Sequence, residues 1–168
     1  MVSFRSTLMP YQASVPSGWR YQQLPVAGTI ADGFIDQPIN GFSTNINVIA
    51  VPIDSGATTI DYANTILAQG TKQLAASGNL TPTDIMAGGQ SVILVDFIYT
   101  LTEQGGLGNA VSCQTMKCMK IDARTAVFIK DGTGWQITLS ISDDADQQYS
   151  NQALAEFNQM LKSFQFLQ

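Results

Sequence analysis

The sequence predicts an α+β fold, one antiparallel β-sheet sandwiched between α-helices, and three observations carry that expectation. Residues 121–142 read as strand, tight turn and strand. An apolar run turns at Asp131-Gly132-Thr133-Gly134, and Trp135, Ile137, Leu139 and Ile141 then alternate with Gln136, Thr138, Ser140 and Ser142. Such alternation marks a half-buried antiparallel hairpin. Two segments carry the helical period instead, Ile60, Ala63, Leu67, Gly70 and Leu74 in one and Tyr149, Ala153, Phe157, Met160 and Phe164 in the other. Finally, strands and helices do not alternate regularly, which excludes a doubly wound parallel sheet and leaves an antiparallel meander of about five to seven strands.

In chain order, residues 11–15 form a short strand stopped by Pro16-Ser17-Gly18, with Trp19 just beyond. Pro25, Gly28, Gly33, Pro38 and Gly41 punctuate a loop-rich region with at most one short strand, at 30–35. Residues 44–51 are a strand by β-branched content. The first helix spans 58–77, capped by Thr58 or Thr59, with Asp61 in its first turn and Ser77-Gly78-Asn79 as its stop. A short strand at 83–86 leads through Gly88-Gly89 into residues 91–101, apolar on both faces and so covered on both sides. The last helix covers 147–164, with Asp143, Asp144 and Asp146 at its positive end and Lys162 at its negative end.

Composition excludes several function classes. At 168 residues the chain reads as a single domain, 1–168, able to bury a self-sufficient core. A net charge of −5 with only eight Lys plus Arg argues against a nucleic-acid partner. No stretch approaches a membrane span, so membrane association is expected only through an anchor preceding Met1. The chain has no histidine, which removes the usual general base of hydrolases and the commonest zinc ligand. No phosphate-cradling or nucleophile-elbow motif is present, and no cofactor and no enzymatic activity are expected.

The residues that invite chemistry have plainer readings. Cys113 and Cys118 lack the further ligands of a zinc site and the spacing of a dithiol redox motif. A structural disulfide is the leading reading, with two free thiols as the alternative. The acidic trio lacks the glycine and the glutamate of a calcium loop and reads as helix capping. Asp96, alone in the most apolar strand, is either a buried carboxylate or the partner of a neighbouring cation such as Arg124 or Lys120. Trp19 and Trp135 read as core residues. Two Gly-rich connections, 25–42 and 104–112, carry Val26, Ile30, Phe34, Ile39, Phe42, Leu107 and Val111, which core formation does not require. Binding residues concentrate on such loops, so Phe34, Phe42 and Leu107 are the candidate partner anchors.

Several segments in fixed order resemble the Mog/PsbP-like superfamily. They are Val15-Pro16-Ser17-Gly18-Trp19, the Asn45-Ile46-Asn47-Val48 strand, the helix from Ile60, Gly88-Gly89 entering the long strand, Gly134-Trp135-Gln136-Ile137-Thr138, and the closing Leu161-Lys162-Ser163-Phe164. The feel is closest to bacterial envelope lipoproteins of the DcrB and LpqN type. The resemblance implies an antiparallel sheet between helices and a non-enzymatic accessory role, recognising a protein partner or an apolar ligand. Low charge, abundant amides and the close cysteine pair suit an exported, periplasmic or envelope-associated protein. The alternatives are a cytoplasmic secretion chaperone or adaptor, and an enzyme that uses Asp96 with a hydroxyl.

Overall fold

A computed structural model describes residues 1–26, 29–39, 41–104, 106–109 and 112–167, with Val26 described in its backbone only. Among them the order is β1 (Val2–Arg5), β2 (Tyr11–Val15), β3 (Arg20–Val26), β4 (Thr29–Ile39), β5 (Phe42–Pro52), α1 (Thr59–Gln73), β6 (Ser77–Ala87), β7 (Gln90–Thr102), α2 (Ser112–Thr115), β8 (Cys118–Lys130), β9 (Thr133–Ser142), α3 (Gln147–Ser163) and β10 (Gln165–Phe166). Seven strands form one sheet in the order β3-β4-β5-β9-β8-β7-β6. All of its pairings are antiparallel. A second sheet, β1-β2-β10, joins the two chain ends and has only its middle strand in the sequence expectation.

Local chemistry explains most boundaries. The hairpin turn is tighter than expected: Lys130 pairs with Thr133, so Asp131 and Gly132 alone make the turn, at φ 50° and 72°. Two positive φ values in succession are the twist-matched two-residue connection. Thr58 caps α1 reciprocally, its Oγ1 accepting from Asp61 N at 3.3 Å while Thr58 N donates to Asp61 Oδ2 at 3.0 Å. The helix ends earlier than expected, at the cap Leu74, because Ala75 turns left-handed at φ 49°. Ser77, expected as the helix stop, opens β6 instead. Asp146 caps α3, its Oδ1 accepting from Tyr149 N at 2.8 Å.

Of the expected loop over 25–42, nearly all the described residues are strand. β3 and β4 form a hairpin across it, and β4 pairs with β5 on its other side. Proline and glycine read as breakers, yet Pro25 lies on the edge strand β3 and Pro38 follows a register shift after Ile35, the two places where a sheet tolerates proline. Pro82 repeats the pattern on the other edge strand, β6, also at a register shift.

Two apolar clusters hold the molecule together. Val92 and Leu94 of β7 and Ala126 and Phe128 of β8 join Phe157, Met160 and Leu161 of α3. Val95 and Phe97 of β7 and Ala123 and Val127 of β8 join Tyr62, Ala63 and Ile66 of α1. Successive strand side chains point to opposite sides, so each strand feeds both clusters. Tyr11, Ala13 and Val15 of the small sheet extend the α3 cluster.

Candidate functional site

A sheet of seven strands spaced about 4.8 Å apart is roughly 30 Å wide, whereas one helix is about 10 to 12 Å across. A single helix therefore leaves strands bare. The cluster of α3 has the small sheet as additional cover. The cluster of α1 has no such sheet among the described residues: α1 packs chiefly on β6, β7 and β8 and meets β9 through Tyr62, so Asn47 of β5 and Gln136 and Thr138 of β9 stay part-exposed. Between α1 and these strands runs a groove of about 940 Å³.

The register shows how its floor is built. One cross-strand row runs Leu80, Val95, Thr125, Thr138, Asn47, Gly33 and Gln22, each residue paired with the next. The row is apolar at Leu80 and Val95 and carries hydroxyls and amides at Thr125, Thr138, Asn47 and Gln22. Neighbouring positions on the same side of β9 are Gln136 and Ser140, so the central floor is made of amides and hydroxyls.

These polar groups are largely paired with one another. The Thr125 and Thr138 hydroxyls lie 2.9 Å apart, Gln136 Nε2 donates to Tyr62 Oη at 2.6 Å, and Asn47 Nδ2 donates to Asn45 Oδ1 at 2.9 Å. Burial pushes the phenols of Tyr62 and Tyr99 up, and hydrogen bonds with Gln136 and Ser140 partly offset it. Asn47 Oδ1 is inaccessible to solvent and has no partner. Such an orphaned acceptor costs about 1 to 3 kcal/mol.

Two glycines shape the walls. A Cβ on Gly70 would collide with the Phe97 ring, so glycine lets α1 approach β7 closely. A Cβ on Gly134 would lie 2.5 Å from Tyr62 Cε1, so the Tyr62 ring occupies space that a side chain on β9 would fill. Charge is confined to Asp54 and Asp61 at one end, and hydrogen bonds from Thr58 hold Asp61 below the usual carboxylate range. No Lys or Arg is among the described residues that line the groove.

No protein-family model and no curated protein sequence matches the chain. Solved structures do. The cyanobacterial PsbP protein CyanoP from Synechocystis sp. PCC 6803 superposes with a TM-score of 0.59 at 16% identity, over 98% of this chain and 91% of that one. The fold is PsbP-like. LpqN, involved in cell envelope biogenesis of Mycobacterium tuberculosis, superposes with a TM-score of 0.53 at 15% identity, over 94% of this chain and 83% of that one. A Bacteroides thetaiotaomicron VPI-5482 protein gives 0.52 at 11% identity, and there this chain, covered over 99%, spans 48% of the other.

On this PsbP-like domain the residues singled out from sequence are scattered. Phe34 is 1% exposed and is no surface anchor: it lies in β4, edge-on to Phe4 at 4.9 Å and beside Tyr21. Phe42 is half-buried where β5 begins, while Leu107 is 46% exposed. Val111 and the side chain of Val26 lie outside the described residues. Leu107 bridges Leu101, its segment tied back to β7 by Gly108 N donating to Thr100 O at 2.8 Å, and the Cys113–Cys118 disulfide, with Cα atoms 5.5 Å apart, closes a separate short ring after it.

Asp96 is not a buried carboxylate. Its side chain is 24% exposed and pairs at 2.6 Å with Arg124 Nε, its direct cross-strand partner. It points away from the groove, because Val95 and Phe97 on either side face α1. None of Phe34, Phe42, Leu107 and Asp96 lines the groove, and sequence reading missed the residues that do. Gln136, Thr138 and Ser140 looked like the solvent half of a hairpin. The available signal was their shared parity with Thr125 and with Asn45 and Asn47 of β5, three polar stretches in strands that pair.

Proposed function

We propose that this PsbP-like chain is a non-catalytic binding domain of an oxidising compartment at the cell envelope, and that its ligand occupies the groove beside α1. The reading takes the large sheet to be layered, with α1 over one face and α3 and the small sheet over the other. The observation that carries it is the floor itself: hydroxyls and amides of β8, β9 and β5 beside an apolar wall, among which Gln136, Thr138 and Asn47 are part-exposed. Binding sites of this size combine apolar walls with a few convergent polar groups. The Cys113–Cys118 disulfide favours the oxidising compartment over a cytoplasmic chaperone or adaptor. A polar floor also suits a purely apolar ligand poorly, since each covered hydroxyl or amide needs a partner. The exposed Leu107 on its tethered loop is a second surface, suited to a protein partner.

Hydrogen exchange tests this reading. Lipid, glycan and soluble-protein fractions of the host envelope are presented separately, and one of them is expected to slow exchange in residues 59–73 and 133–142. Gln69→Trp, at an exposed position on the groove wall, is expected to abolish that protection. Protection by no fraction, or protection that Gln69→Trp leaves intact, contradicts the proposal.

A further inference from the structure

Resting on the groove reading above, we infer that the groove takes a neutral, polyhydroxylated molecule, a saccharide, in preference to a lipid, an ion or an extended peptide. The argument is one of matching groups. The part-exposed Thr138, Gln136 and Asn47, with Thr125 and Ser140 buried beneath them, can each both donate and accept hydrogen bonds, and a sugar hydroxyl does the same. With no Lys or Arg among the described residues of the lining, an anionic headgroup or phosphate meets no counter-charge there. Asp61 is already engaged in helix capping, which leaves the single exposed carboxylate of Asp54 to attract a cation, too few ligands to hold one.

A polypeptide would be captured most readily by adding a strand to a sheet edge, through backbone pairing. The groove offers a sheet face instead, crossed by side chains of β5, β9 and β8 whose backbones are already paired on both sides. A site built to hydrogen-bond hydroxyls rejects analogues that lack them, so the inference predicts selectivity and not merely affinity.

The test follows NMR signals of residues 59–73 and 133–142 during titration with maltotriose, cellotriose or chitotriose, and with sodium dodecanoate and tri-alanine as the competing chemistries. At least one trisaccharide is expected to shift these signals, with affinity reduced ten-fold or more in both Thr138→Val and Gln69→Leu. Gln69 is exposed, so its variant does not threaten the fold. Sugar binding that neither variant weakens overturns the inference. If dodecanoate or tri-alanine shifts the signals and no sugar does, the inference falls and the groove reading stands. Should no probe bind, the envelope fraction that protects the groove is treated with periodate, which cleaves vicinal diols: lost protection upholds the inference and retained protection overturns it. An envelope that never protects the groove removes the groove reading itself.

Discussion

Tyr11 Oη donates a 2.8 Å hydrogen bond to Asp32 Oδ2, fastening the small sheet to β4 of the large one, and Tyr21 Oη donates to the other carboxylate oxygen at the same distance. Tyr11 and Asp32 are both fully buried. Two phenols thus satisfy the carboxylate, and among the described residues it forms no ion pair. Hydrogen bonds to a buried charge are worth about 1.5 to 3 kcal/mol each. Tyr11→Phe is expected to lower stability by that amount in urea unfolding, with the slope unchanged. Tyr21→Phe should cost less, since Tyr21 is 38% exposed. A neutral Tyr11→Phe would show that the two sheets are held by packing alone.

Stability should fall as pH rises above about 10, the ordinary tyrosine value. Burial and the neighbouring Asp32 push the Tyr11 phenol far up, and burial pushes Tyr149, bonded to Asp36, up to about 12. Above pH about 10 the unfolded chain has lost these protons and the folded chain has kept them. Stability therefore declines with a slope of up to about 1.4 kcal/mol per pH unit for the buried Tyr11, and by less for the part-exposed Tyr149, which solvent screens. Tyr149 stops contributing to that slope near pH 12. The urea midpoint at pH 9 and at pH 11 measures it; equal midpoints would contradict the assignment.

Phe157 of α3 is completely buried. Phe157→Ala is expected to cost about 3 to 5 kcal/mol, and a loss below about 1 kcal/mol would place the helix against solvent.

Oxidised protein is expected to gain the mass of two hydrogens on reduction, with no thiol free to alkylate beforehand, because Cys113 and Cys118 are bonded. Reduction should cost only about 2 kcal/mol, since the closed loop is short. Two alkylatable thiols under oxidising conditions would remove the main support for an envelope location.

Much of the fold is legible in the sequence because its strongest signals are local. The hairpin of β8 and β9 shows its turn chemistry and alternation, and α1 and α3 show their caps and apolar stripes. The three-strand stretch from Arg20 to Pro52 is hidden because Pro25, Pro38 and Gly33 mimic loop residues, and only register reveals that they sit at an edge, at a shift and under Leu24. β1 and β10 are hidden because a four-residue and a two-residue strand carry no period, and they exist only through pairing with β2. The groove is hidden for a third reason. Whether the polar side of a strand meets water or a cavity wall depends on how far the neighbouring helix reaches, which no single element encodes.

The groove's shape depends on Gly70. Gly70→Ala would drive a methyl group into the Phe97 ring, and overpacking of this kind costs about 1 to 3 kcal/mol. The variant is expected to lose stability and ligand protection together, because α1 must lift from β7. A variant as stable as the parent would show that the close approach is not required.

The most direct test of the groove as the binding site compares two substitutions in one exchange experiment with the protecting envelope fraction. Gln69→Trp fills the groove, whereas Leu107→Ser strips the exposed apolar residue from the tethered loop. The groove account predicts that Gln69→Trp abolishes protection and that Leu107→Ser leaves it unchanged. Protection lost with Leu107→Ser and kept with Gln69→Trp would contradict it and place recognition on the loop.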